Sequence, residues 1–204
     1  MSQALIMMAK APNPGYAKTR LTPVLGEQGA AQLATKMLKH TTKTCINTSH
    51  FNHIELCVSP NRHHLVFDAL NQQYPAQLHW SEQGSGDLGV RMRRAFERLL
   101  QTHDRVVMLG TDAPDLTAAM IDQAGANLAF CDTTFIPALD GGYALIGLKK
   151  ILPELFETMP WSTNQVMQTT RERLANAGWS IKEQAPIADI DEPEDLKYLP
   201  SRWL

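Results

Sequence analysis

The sequence predicts an α/β fold, a mostly parallel central sheet with helices on both faces. Short apolar runs alternate with longer stretches of helical spacing, the pattern of strand–helix–strand units. The run Arg105–Leu109 is almost wholly apolar, as expected of a central strand covered on both sides. Several runs end in polar loops bearing Gly or Pro, and in open α/β sheets ligands sit outside the carboxyl ends of the strands. With 204 residues and 44% hydrophobic content, residues 1–204 suffice for a single domain with a sizeable core.

In chain order, Ala4–Ala9 reads as a buried first strand, followed by a Pro/Gly loop. Gln28–Thr44 has helical spacing through Ala31, Leu33, Ala34, Met37 and Leu38. Ile54–Ser59 is a strand, Pro60–Gln72 a helix carrying His63 and His64, and Gln77–Trp80 a short strand. Leu88–Leu100 is an amphipathic helix burying Leu88, Met92, Ala95, Phe96 and Leu99. After the central strand comes a helix over Leu116–Leu128, capped by Thr117. Thr133–Pro137 and Tyr143–Gly147 flank a Gly-Gly bend as two strands. Thr163–Ala177 is a helix closed by Gly178, Ser180–Gln184 a strand, and Pro193 opens a last short helix behind Asp191 or Glu192.

A net charge of −2 offers no broad basic surface for nucleic acid or anionic membrane. The three cysteines, Cys45, Cys57 and Cys131, lie far apart without a CxxC pair, which argues against a disulfide framework or a zinc knuckle. No apolar run reaches the roughly 18–20 residues of a membrane span. The N-terminus lacks the features of a signal peptide. A soluble cytoplasmic protein of unknown oligomeric state is the expectation.

Four loops carry chemistry. Lys10–Arg20 places Lys10, Lys18 and Arg20 around Pro12, Pro14 and Gly15, directly after the first strand. Phosphates bind where loop N–H groups and cations converge. The loop matches neither a P-loop nor a dinucleotide fingerprint. In Gln83–Gly89, the glycines admit a flat ligand, Gln83 offers an amide to a base edge, and Asp87 is either a ligand residue or a helix cap; Arg91, Arg93 and Arg94 are expected on the solvent side. Asp112 follows the central strand and suits Mg²⁺, which is held by about one or two carboxylates plus phosphates. Asp140 sits in a tight bend with Gly141, Gly142 and Tyr143, as a candidate base or a hairpin residue. Trp161 and Thr163 precede a helix, Trp161 as a core residue or a pocket wall and Thr163 as a cap. Asp189 and Asp191 alternate, so both fall on one side of an extended segment, and one of them is a candidate second metal ligand.

Five segments together resemble a known family over nearly the whole chain: Met8–Leu21, Gly84–Met92, Gly110–Thr117, Asp140–Gly147 and Asp189–Leu196. The family is the bacterial DUF2064 group of nucleotide-diphospho-sugar transferase-like proteins, also called selenodomain-associated or arsenosugar-biosynthesis-type glycosyltransferases. The resemblance implies a GT-A fold, Rossmann-like, that binds a nucleoside diphosphate-sugar with Mg²⁺ or Mn²⁺ and transfers the sugar to a small-molecule acceptor. Lys10, Pro12, Gly15, Lys18, Arg20, Gln83, Gly84 and Asp87 would then form the nucleotide and phosphate site. Asp112 and Asp191 would hold metal, Asp140 would act as base, and Gly141, Gly142, Tyr143, Trp161 and Thr163 would face the acceptor. Asn13, Ala144 and Ser162 depart from the family pattern, and the last two leave the acceptor open. Ala17-Lys-Thr-Arg-Leu21 also looks like the start of the phospholactate guanylyltransferases. A guanylyl- or cytidylyl-type nucleotidyltransferase that releases pyrophosphate is therefore the alternative, and a non-catalytic nucleotide-binding module the second.

Overall fold

A computed structural model describes residues 1–200 and Trp203. The strands are β1 (Gln3–Lys10), β2 (His53–Ser59), β3 (His79–Glu82), β4 (Arg105–Leu109), β5 (Thr133–Pro137), β6 (Tyr143–Leu148) and β7 (Ile181–Glu183). The helices are α1 (Thr22–Ile46), α2 (Leu65–Gln73), α3 (Leu88–Leu100), α4 (Ala118–Asn127) and α5 (Val166–Asn176).

One seven-stranded sheet runs in the order β3-β2-β1-β4-β6-β5-β7. Every pairing is parallel except those of β6, which runs antiparallel between β4 and β5. Two reversals in succession leave β5 pointing the same way as β4. The loops after β1, β3, β4 and β7, and the β5–β6 bend, therefore all open on one edge. That edge holds every loop singled out in the sequence.

The period-2 alternation of β1 divides the core. Leu5, Met7 and Ala9 face a layer containing Leu38 of α1, Phe67 of α2 and Ile121 of α4. Ala4 and Ile6 face the opposite layer, with Met92 and Phe96 of α3 and Met167 of α5. Cys45, Cys57 and Cys131 are buried free thiols.

Some boundaries differ from expectation. α1 begins at Thr22, but Gly26 leaves helical geometry with φ 69°, so the regular helix starts close to the predicted Gln28. α2 begins at Leu65 rather than Pro60: Asn61 accepts from the His63 N–H in a local turn, and extended His64 caps the helix by accepting from the Val66 N–H. His63 and His64 thus lie before the helix. α5 begins at Val166, because Thr163 turns the chain first, donating to Pro160 O and accepting from the Gln165 N–H. The last segment, Pro193–Tyr198, is the expected short helix, in 3₁₀ form, opened by a reciprocal Glu192/Asp195 capping box.

One charge is deeply buried. Glu55 in β2, 3% exposed, accepts two bonds from Arg98 of α3 at 2.8 and 2.5 Å and one from Ser81 at 2.6 Å. His53 Nε2 lies 3.3 Å away and its ring stacks on that of His79, 4.1 Å between centroids. Burial alone would raise the Glu55 carboxyl, but the bonds to His53, Arg98 and Ser81 outweigh it and hold the group at about 2.

Candidate functional site

The loop after β1 builds a cationic chamber of about 320 Å³. Lys10 leaves the strand end with its ammonium 4.5 Å over the Tyr16 ring. Lys18 adopts a left-handed backbone, φ 53° and ψ 42°, uncommon for a residue with a side chain. That conformation turns its ammonium inward, where only 6% of the side chain is exposed. There it meets three acceptors: Asp112 Oδ1 at 2.9 Å, Asp191 Oδ1 at 3.6 Å and the Ile190 carbonyl. Arg20 reaches Asp191 at 2.7 Å and Glu192 at 3.2 Å. Gln83 and Arg91 complete the walls.

A second chamber, of about 290 Å³, adjoins the first, and Met8, Leu88 and Asp112 line both. Its walls are largely apolar, with Met92, Met108, Tyr143 and Trp161 among them. Three carboxylates enter it: Asp112, Asp140 and Asp189. Asp140 Oδ1 accepts from the Gly142 N–H at 2.7 Å, and Gly141 supports the bend at φ 93°. A Cβ at Gly141 would lie 2.3 Å from the Asn164 carbonyl oxygen, so only glycine fits. Burial pushes the Asp189 carboxyl up to about 6; repulsion from Asp140 adds to the rise and Lys18 opposes it. Burial also raises the Tyr143 phenol. Its ring stands edge-on to Trp161, with centroids 6.5 Å apart.

The expected site residues divide among distinct roles. Lys10, Lys18, Arg20, Gln83, Asp112 and Asp191 gather in the cationic chamber. Asp112, Asp140, Gly142, Tyr143, Trp161 and Thr163 gather in the acidic one. Pro12, Gly15, Gly84, Asp87 and Gly141 line neither and shape the loops instead. Asp87 is the N-cap of α3, accepting from the Val90 N–H at 2.9 Å. Gln83 does not present its amide nitrogen to a ligand, because it is buried and donates to Ala9 O and Cys57 O, tying β1 to β2.

Three expectations are corrected. Arg91 is not on the solvent side: its Nε is anchored on Gly86 O and it walls the cationic chamber. Arg94 is exposed, as expected, and braces the Gln83 and Ser85 carbonyls. Leu88 is 45% exposed at the start of α3, not buried. Asp189 and Asp191 do not share a side: the segment forms only an isolated bridge at Ile187, strand alternation does not hold, and the two carboxylates enter different chambers.

Among the described residues no group of three or more His, Cys, Asp or Glu side chains could by itself hold a metal ion. Asp112 and Asp191 share the Lys18 ammonium as counterion, so the two carboxylates converge on one position of positive charge. This donor set fits Mg²⁺ or Mn²⁺ in the mode that relies on substrate phosphates for further ligands.

Gly89 fits the two chambers to their helix. A Cβ there would lie 2.1 Å from the Phe156 carbonyl oxygen and 3.0 Å from Trp161 Nε1. Gly89→Ala is expected to cost about 1–3 kcal/mol through overpacking and to push Trp161 into the acidic chamber. Thermal unfolding reads the first effect and Trp161 fluorescence the second; an unchanged melting temperature would show that the loop yields freely.

The family profile described as "Uncharacterized protein conserved in bacteria (DUF2064)" matches residues 41–163. No curated protein matches the sequence. Among solved structures, a candidate nucleotide-diphospho-sugar transferase from Desulfovibrio desulfuricans G20 is 30% identical with a TM-score of 0.88, over 99% of this chain and 88% of that one. The 4-diphosphocytidyl-2C-methyl-D-erythritol synthase of Anaerococcus prevotii DSM 20548 is 11% identical with a TM-score of 0.66, over 97% and 93% of the two chains. CMP:2-keto-3-deoxy-manno-octonic acid synthetase, complexed with CTP, is 11% identical with a TM-score of 0.60, over 97% and 96%. The last two share the fold of this chain.

Proposed function

This chain belongs to the bacterial DUF2064 family, and from that premise we propose that it is a transferase that takes a nucleoside diphosphate-sugar and passes the sugar to a small-molecule acceptor. The observation that carries the reading is the pair of adjoining chambers of opposite charge, with Asp112 on their shared wall. A leaving diphosphate needs cations, and an acceptor hydroxyl needs a carboxylate. Each chamber offers one of these.

Lys10, Lys18 and Arg20 hold the diphosphate, and their fixed charge offsets the charge that develops as the bond between sugar and phosphate breaks. The bonding pair leaves on the diphosphate oxygen, the acceptor oxygen bonds to the anomeric carbon, and Asp140 accepts the hydroxyl proton. The apolar walls around Tyr143 and Trp161 keep water from competing. Mg²⁺ or Mn²⁺, held by Asp112 and Asp191, would supply further neutralisation of the diphosphate when bound.

Nucleotidyl transfer is the second reading. Arg91 adds a fourth cation to the chamber, which suits a triphosphate as well as a diphosphate. The test is titration calorimetry beside a turnover panel. A nucleoside diphosphate is expected to bind more tightly with Mn²⁺ than with EDTA, and Asp112→Asn to remove that difference without unfolding the protein. Equal affinities in the wild type would end the metal-assisted reading. Pyrophosphate release that needs an added acceptor, with no sugar-nucleotide turnover, would replace glycosyl by nucleotidyl transfer.

A further inference from the structure

The acidic chamber has a chemistry more specific than room for an acceptor. No Lys, Arg or His is among the described residues that line it. Lys18 pairs with Asp112 and Asp191 from the neighbouring chamber and does not line this one. Asp140 and Asp189 form no ion pair among the described residues, and Asp140 Oδ1 is occupied by a backbone N–H. The rest of the wall is mostly aliphatic, thioether and aromatic, with the Ser162 and Thr163 hydroxyls as its polar exceptions. The faces of Tyr143 and Trp161 meet nearly at right angles, 78° between planes, beside the Met92 and Met108 side chains. The Trp161 Nε1–H is buried and makes no hydrogen bond among the described residues, which leaves a polar donor on the wall without a partner.

A hydrated divalent ion would gain nothing from thioether and aromatic walls, since it binds through oxygen. A carboxylate or phosphate would enter against two uncompensated like charges. An organic cation matches both halves: ammonium to carboxylate, and an apolar body to aromatic faces, which attract cations. We propose that the acidic chamber selects a small organic cation with an apolar body, an ammonium-bearing acceptor whose charge is held by Asp189 while Asp140 stays free for the reacting hydroxyl. The chamber correspondingly rejects acceptors that carry carboxylate or phosphate. This rests on the two-chamber reading above.

The experiment uses the full chain labelled with methyl-¹³C methionine. Met8, Met92 and Met108 line the chamber, and the remaining methionines report whether the fold is intact. Four probes share one body: phenethylamine, 2-phenylethanol, 3-phenylpropanoate and phenethyl phosphate. Each is titrated with and without Mg²⁺. The amine is expected to shift the three chamber signals and to bind about tenfold or more tightly than either anion. Asp189→Asn should bring amine and alcohol to equal affinity with the other methionine signals unmoved. Anions binding as well as the amine would overturn the proposal. So would loss of the amine preference on adding Mg²⁺, since the carboxylates would then serve metal. If Asp189→Asn disturbs the fold, the wild-type ranking of the four probes still decides. Nucleotide occupancy of the neighbouring chamber is read in the same samples by ³¹P signals. A protein that binds no nucleotide yet prefers the amine would defeat the transferase reading and leave the chamber's selectivity standing.

Discussion

Asp140→Asn is expected to lower turnover by about 10²–10⁴-fold, the usual worth of a positioned base, while nucleoside diphosphate affinity stays unchanged. The structure makes asparagine a clean probe. Among the described residues the only bond the Asp140 side chain makes is the one it accepts from the Gly142 N–H at Oδ1, and an asparagine carbonyl accepts it equally well. Asparagine is also at home in such a turn. The substitution therefore removes proton acceptance and leaves the Gly141 geometry in place. Steady-state turnover with a nucleotide-sugar panel, beside calorimetric affinity, separates three outcomes. Lost turnover with intact binding supports the base. Affinity for metal and donor falling together would make Asp140 a metal ligand. Full activity would reduce it to a turn residue.

Arg98→Met should produce the largest stability loss, about 3 kcal/mol, within the range for breaking a buried ion pair by removing one partner. Arg98 itself is 43% exposed, but Glu55 is 3% exposed, so the cost is that of leaving a buried carboxylate short of its main partner. Denaturant unfolding at neutral pH measures it, and a loss below about 1 kcal/mol would place the pair among ordinary surface bridges. The pH dependence supplies a second check. The folded Glu55 carboxyl is lowered from 4.5 to about 2. Its stabilisation is complete above the unfolded value and is lost as pH falls through the folded one. The wild type should therefore weaken across that acid window. The variant should show a flatter acid limb, because its carboxyl has returned toward or above its ordinary range.

Much of the architecture was legible in the chain because strands covered on both faces need continuous apolar runs. Arg105–Leu109 and Thr133–Pro137 fall where they were expected, residue for residue. The loops at the site edge were legible for a related reason: a packed core has no use for Lys18, Asp112 or Asp140. The direction of β6 was not, since a tight Asp-Gly-Gly bend fits a hairpin without saying that its second strand slots between β4 and β5. Gln83 misled because a polar residue beside glycines looks like a ligand residue, whereas two strand carbonyls left open at a parallel edge claim its amide. Arg91 was hidden by helical periodicity, which puts it on the polar face but cannot say that this face overlooks a phosphate loop from another part of the chain. The acidic chamber was the least legible. Met8, Met92 and Met108 come from β1, α3 and β4, and no local pattern brings them together.

The lock on Lys18 has a consequence for how the molecule is made. Residues 18 and 20 are held in part by residues 190 and 191, so the loop after β1 takes some of its bonds from contacts nearly as distant along the chain as the fold allows. The Asp112 carbonyl waits on the same stretch, for the Ile190 N–H. Contacts of such separation carry the greatest loop-closure entropy and form late. A nascent chain released only as far as residue 187 would own all seven strands and still lack these bonds to the loop after β1. On the proposed function, competence to bind nucleotide is expected to emerge late in maturation, after the sheet is complete. A nucleotide present at that moment would act as a folding template, drawing the last segment home by mass action.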